Sequence, residues 1–299
     1  MDQAQTLREY MNRFNVQQHN KPASKVITIT SGKGGVGKSN FTLNFALGLQ
    51  TAGKKVVVLD LDLSTANINI LMGGTSRYSL ADIFRKQKNI WEVLEKGAAG
   101  IEYIAGGLEI EDLLEFDKHS LTFFWSQIQE LQSYADFILL DTGAGISKEL
   151  VDFILASDET ILVTTPEPTA IADSYAVLKT IFQTAKNSNP KFRLVVNRAQ
   201  TYGEAVETSR ALKSASNKFL KIELNTLGFM MEDLYVRKSV KLQTPFFNAF
   251  PNCEASKNIK QIVNSFIPEN SLNSSTAPKG IRGFIEKLMI RGKISQGEK

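Results

Sequence analysis

The 299-residue chain is poor in the residues that build most prosthetic sites. Its one cysteine, Cys253, excludes an internal disulfide framework and any iron–sulfur cluster held by several thiolates of this chain. A lone thiol suits a reducing, cytoplasmic compartment. The two histidines, His19 and His119, stand far apart and near no cysteine, so no zinc ligand set is visible. No apolar run approaches the ~20 residues needed to span a bilayer. The polar start does not read as a signal peptide.

A broad excess of positive charge is also missing. The formal net charge is +4, and residues 279–299 supply all of it: Lys279, Arg282, Lys287, Arg291, Lys293 and Lys299 against Glu286 and Glu298. The rest of the chain is neutral overall, which argues against a general nucleic-acid binder. No specific nucleic acid is expected as a partner.

What is present falls into unlike regions. Residues 1–24 begin with "MDQAQTLREYMNRFN", in which Ala4, Leu7, Met11 and Phe14 recur at helical spacing, followed by a polar linker. Residues 25–267 alternate short β-branched runs with helical stretches. The runs are "KVITIT", "KKVVVLD", "IEYIAG", "DFILLD", "ETILVTT", "FRLVVNR" and "KIELNTLGF". They are almost continuously apolar, as strands buried on both faces must be, and predict an α/β fold with a doubly wound, mostly parallel sheet. Residues 268–280 read as a Ser/Asn/Pro linker, and 281–299 as an amphipathic helix.

The strongest chemical signal is "SGKGGVGKSN", residues 31–40. Gly32, Gly37, Lys38 and Ser39 fit G-x-x-x-x-G-K-[ST] between a strand and a helix, the setting of a phosphate loop. Gly32, Lys33, Gly34, Gly35, Val36, Gly37, Lys38, Ser39 and Asn40 are the candidate nucleotide-binding residues. Glycines let backbone N–H groups converge on phosphate, and the helix N-terminus favours an anion there. In that pattern Lys38 holds the β- and γ-phosphates of ATP and Ser39 ligates Mg²⁺. Lys33 lies outside the basic pattern.

Two acidic strand ends accompany the loop. "VVVLDLD" ends at Asp60 and Asp62, and "FILLDTGAG" carries Asp141 into a glycine-rich turn. Ligands of open α/β sheets sit at the carboxyl ends of strands. Carboxylates there either orient a metal's water or cap the next element. Asn197, in "VVNR", has a donor and an acceptor on one amide, which suits a purine edge or a turn.

Together "KGGVGKS", "DLDLSTANIN" and "DTGAG" resemble the deviant Walker A ATPases of the MinD/ParA class, and the likeness covers about residues 25–267. The resemblance implies that ATP is held between two protomers and that Lys33 reaches the partner's phosphates. It implies catalytic roles for Lys33 and Asp62, with Asp62 positioning the attacking water. Asp141 would act on Mg²⁺ through water, so the metal set is Ser39, Asp62 and Asp141. Glu167, in "TTPEPTAIADSY", matches a segment lining the dimer interface and ribose. "LGFMMED" stands where the class often has an Ile-Pro turn. Without cluster cysteines, a nitrogenase-like reductase is excluded.

The two ends narrow the likeness. Asp2, Gln3, Ala4, Leu7 and Arg8 match the D-Q-A-x-x-L-R element of the FlhG (YlxH) family, regulators of flagellar number and placement. That likeness implies docking on the signal-recognition-type GTPase FlhF and stimulation of its GTP hydrolysis, with flagellar C-ring switch proteins as further partners. At the other end, Ile281, Phe284, Ile285, Leu288 and Met289 fall on one face of a helix with cations on the other. Such a helix is expected to leave the domain and lie in an anionic lipid interface. ATP-driven homodimerisation would pair two weak tails and raise avidity. The implied location is cytoplasmic with reversible membrane association. A MinD-type division-site ATPase, a ParA-type partitioning ATPase and a non-catalytic nucleotide-gated scaffold stand as alternatives.

Overall fold

Eight strands form one sheet in the order β3-β4-β2-β5-β1-β6-β7-β8. The computed structural model describes residues 24–62, 68–85, 87–107, 118–185, 189–271, 281, 283–285 and 287–288. The main elements run β1 (Lys25–Ser31), α1 (Lys38–Thr51), β2 (Val56–Leu61), β3 (Glu95–Lys96), β4 (Glu102–Ile104), α2 (Lys118–Gln129), β5 (Phe137–Ala144), α3 (Lys148–Ala156), β6 (Glu159–Thr164), α4 (Pro168–Thr184), β7 (Phe192–Ala199), α5 (Tyr202–Ala215), β8 (Asn225–Met231), α6 (Leu234–Lys241) and α7 (Glu254–Ser271). All pairings are parallel except the short β3–β4 pair at one edge.

Side-chain alternation explains why these runs look uniformly apolar. In β2, Val56 and Val58 enter one core while Val57 and Leu59 enter the other. In β5, Phe137 and Leu139 face the first core, and Ile138 and Leu140 the second. Both faces are covered, so these two strands stay apolar in both registers up to Asp60 and Asp141 near their carboxyl ends. The first core packs α1 and α7 on the sheet through Phe41, Phe45, Ile259 and Phe266. Gly48 permits this contact, because a methyl there would lie 2.8 Å from Ile259 and 2.9 Å from Val263. On the opposite face, α3, α4 and α5 cover the β6–β8 half.

The end of the chain departs from expectation. Ile281, Phe284 and Ile285 are 0%, 3% and 4% exposed and lie in the same core as Leu59, Phe124, Ile138 and Leu140. The Phe284 ring stacks on Phe153 of α3 with centroids 6.2 Å apart. Lys287 Nζ donates to the carbonyl of Ala156 at 3.2 Å, capping the end of α3. Leu288 packs half-buried at the edge of the cluster. The amphipathic segment is therefore docked on its own domain here and does not stand apart as expected. The reason is the sheet itself: the strip of Leu59, Ile138 and Leu140 needs an apolar cover, and each buried Ile or Phe contributes ~1.5–3 kcal/mol. The preceding helix α7 also runs to Ser271, past the expected domain end at 267. Asp2, Gln3, Ala4, Leu7, Arg8 and Met289 lie outside the described residues. Among the described residues no helix is long and apolar enough to cross a membrane.

Candidate nucleotide site

The loop between β1 and α1 sits at the carboxyl ends of the central strands. Gly37 caps α1 in a left-handed conformation, φ 90°, and no side chain caps the first helical N–H groups. An uncapped helix N-terminus beneath a glycine loop is a ready anion site. Gly32 is required by packing: a methyl there would lie 2.3 Å from the carbonyl carbon of Asp173 in α4. Asn197, at the end of β7, braces the loop by donating from Nδ2 to the Val36 carbonyl at 2.7 Å. Its Oδ1 accepts from the Arg198 N–H at 3.0 Å.

Lys38 is turned inward. Its ammonium donates to Asp141 Oδ1 at 2.9 Å, with the side chains 7% and 0% exposed. Thr42, one turn along α1, donates to the same oxygen at 2.8 Å. Asp141 Oδ2 is buried with no hydrogen-bond partner. Ser39 Oγ accepts from Lys38 at 3.3 Å. A buried carboxylate oxygen without a donor is costly unless a cation or ordered water meets it. The residues therefore fit a nucleotide phosphate on the loop with Mg²⁺ near Ser39 and Asp141.

Asp60 and Asp62 separate in role. Asp60 is fully buried, opposite Asp141 across the β2–β5 pair. Its oxygens accept from the N–H groups of Asp62 at 3.1 Å and Ile68 at 3.3 Å, tying the two ends of the 62–68 segment. Asp62 is half-buried beside the turn that follows Asp141: its Oδ1 is 3.6 Å from where a methyl on Gly143 would stand. The geometry thus brings Lys38, Ser39, Asp62 and Asp141 to one place and gives Asp60 a scaffolding task.

Lys33 points elsewhere. Its Nζ donates to Glu167 Oε2 and to Thr169 Oγ1, each at 2.9 Å, at the start of α4 in the same chain. Glu167 titrates below its usual range, chiefly because of the hydrogen bond and then the charge of Lys33. Beside the loop, a cavity of about 270 Å³ is lined by Gly35, Asn40, Asn197, Arg198 and Met230 among others. Glu232 clamps its wall, accepting from Arg198 at 3.1 Å and Arg237 at 2.7 Å. Arg198 takes φ 60° to reach it. Sequence reasoning missed Thr42, Thr169 and this clamp. Only Thr42 had a readable signal, its one-turn spacing from Lys38.

The comparisons agree with this geometry. The family model described as "ParA: NUBPL iron-transfer P-loop NTPase" matches residues 22–267. The antiactivator FleN of Pseudomonas aeruginosa is 32% identical over 270 residues, 89% of this chain and 93% of that protein. The flagellum site-determining protein YlxH of Helicobacter pylori is 31% identical, covering 96% and 98%. The septum site-determining protein MinD of Helicobacter pylori is 30% identical, covering 88% and 97%. Among solved structures, MinD of Pyrococcus furiosus superposes with a TM-score of 0.67 at 23% identity, over 82% of this chain and 99% of that one. MinD of Pyrococcus horikoshii, complexed with Mg-ADP, gives 0.67 at 22% identity, over 84% and 99%. The chain is a member of the MinD/ParA family of P-loop ATPases, and a relative named as a flagellum site-determining protein matches it over 96% of its length.

Proposed function

We propose that this ATPase regulates flagellar number or placement as a nucleotide-gated dimer of the FlhG type. The observation that carries the reading is the loop itself: Lys38 is committed to its own chain's site, while Lys33 stands at the rim, half-exposed and tied only to Glu167 and Thr169. A second copy that places its phosphates at that rim gives Lys33 a stronger anion than a carboxylate. Bound ATP with Mg²⁺ supplies the phosphoryl group and the charge that pulls the two chains together. Lys38 then holds phosphate, Ser39 and Asp141 orient the metal's ligands, and Asp62 orients the attacking water. Lys33 neutralises charge across the interface.

The membrane part of the reading takes a revised form. The apolar face of Ile281, Phe284 and Ile285 is covered by the domain, so lipid binding requires its release. Its cover includes Leu140, next to Asp141, and Phe153 of the helix that follows the Asp141 turn. Rearrangement of that turn on nucleotide binding loosens the cover, and pairing two released tails gives avidity. The N-terminal element, residues 2–8, is assigned to FlhF, and the C-ring switch proteins remain the expected structural partners.

Two measurements test this. Analytical ultracentrifugation with and without ATP and Mg²⁺ should show dimer only with both, and a Lys33→Ala chain that dimerises as wild type refutes the gate. GTP hydrolysis by purified FlhF should rise with a peptide of residues 1–20. No rise favours the division-site reading, which the likeness to Helicobacter pylori MinD supports.

A further inference from the structure

A groove of about 510 Å³ lies between α5 and β8 and shares no lining residue with the cavity beside the phosphate loop. β8 is the last strand of the sheet, and among the described residues no strand pairs with its outer edge. The floor is apolar, with Leu224 and Phe229 beneath Val206. Tyr202, 68% exposed, packs edge-on against Phe229 at 5.5 Å and closes one end. A π-helical turn, Ser216–Leu220, follows α5 at the other end and leaves Phe219 64% exposed. π-turns tend to mark functional positions, because they cost helix geometry that nothing local repays.

The rim is cationic. Residues 210–221 carry Arg210, Lys213, Lys218 and Lys221 and no carboxylate, in a body of the chain that is neutral overall. All four are exposed. Arg210 and Lys213 line the groove, where Glu223 is the only acid. Neither of them has a carboxylate partner among the described residues. From Tyr202 to Asn217 the helix rises roughly 22 Å, the span of about seven residues of extended chain.

We propose that this groove docks a short acidic segment of a partner protein, with an aromatic or aliphatic side chain seated on Leu224 and Phe229 and its carboxylates on Arg210 and Lys213. The apolar floor is what selects a peptide. A nucleic-acid backbone would use the four cations and leave the floor and both aromatics unfilled. The inference is independent of the nucleotide gate, since no residue of the phosphate loop takes part.

A random-heptapeptide display library panned against the full chain tests it. Enriched sequences should combine acidic residues with an aromatic or branched aliphatic one. Their synthetic versions should bind the double variant Arg210→Glu, Lys213→Glu at least about tenfold more weakly, because each reversed charge replaces an attraction with a repulsion. The variant's ATP hydrolysis should stay within about twofold of wild type, because rim charges far from a site act on it weakly through screened water. Hydrogen exchange on the wild-type chain should show peptide protection at Leu224–Phe229. Failure to enrich, enrichment without acidic residues, equal binding by the variant, protection elsewhere, or displacement of the peptide by random duplex DNA overturns the proposal.

Discussion

Lys33 and Glu167 form an ion pair within one chain, Nζ to Oε2 at 2.9 Å, with side chains 39% and 53% exposed. The lysine that the phosphate pattern does not use is thus already held, by an anion that a phosphate can outbid. Water screens a pair this exposed, so the hold is weak by construction. Glu167→Ala should shift ATP-dependent dimerisation toward lower protein concentration by up to about fivefold. Sedimentation across a concentration series reads the shift. A shift the other way assigns Glu167 to the dimer contact instead.

The same pair fixes a titration. Lys33 holds the Glu167 carboxyl below its ordinary value of 4.5. A lowered carboxylate pKa means that the link is intact above the unfolded value and is lost as pH falls through the folded one. It is therefore constant through neutrality and breaks only in acid. In Lys33→Ala the Glu167 carboxyl should titrate back toward 4.5, by carboxyl carbon resonance.

Lys38 and Asp141 neutralise each other across an ion pair of 2.9 Å. Asp141→Ala leaves a buried ammonium without its partner, at a cost of about 3–5 kcal/mol in urea unfolding. On the proposed function, phosphate would draw the ammonium from Asp141 and the metal would draw the carboxylate from Lys38. Either ligand alone strands one charge, so each should raise the affinity for the other by the same factor. Titration calorimetry of nucleotide with and without Mg²⁺, and the reverse, checks the equality.

Asp62→Ala should leave ATP binding and dimerisation intact and slow hydrolysis by at least about a hundredfold, the usual scale for a lost general base or water-orienting group. Single-turnover hydrolysis measures it. Wild-type turnover in the variant removes Asp62 from its assigned role.

Phe153→Ala separates docking from lipid binding, because Phe153 belongs to the cover and not to the tail. Loss of the ring pair and its burial costs ~1.5–2 kcal/mol, enough to release the tail roughly tenfold more often. Flotation with anionic liposomes should then show ATP-free binding rise by about that factor. Unchanged flotation refutes release as the limiting step.

The parallel sheet and the phosphate loop were legible because their signals are local. A short, nearly continuous apolar run names a buried strand, and seven such runs correspond to seven of the eight strands. The eighth, Glu95–Lys96, is two charged residues paired antiparallel with β4, and no periodicity exists over two positions. The triad Lys38, Ser39 and Asp141 followed from spacing and from the rule that ligands sit at strand ends. Glu167 and Thr169 stand 134 and 136 positions from Lys33, and Glu232 stands 34 from Arg198, so only the fold joins them. The tail shows the sharper limit. An apolar helical face announces that it needs a partner but not which one, and Ile138 and Leu140 on the sheet have the same appearance as a bilayer in one dimension.

That ambiguity has a functional consequence. Ile281, Phe284 and Ile285 cannot be covered by the sheet and by anything else at once, so every outside apolar surface competes with Leu59, Ile138 and Leu140 for the same three side chains. Making those side chains larger strengthens both sides of the competition and leaves the balance nearly unchanged. Charge does discriminate. When docked, Lys287 meets a neutral carbonyl, that of Ala156, whereas an anionic surface offers about 1 kcal/mol to each nearby cation. On the proposed function, the tail would act less as an anchor than as a gauge of surface charge, tuned by its lysines and arginines rather than by its hydrophobic bulk.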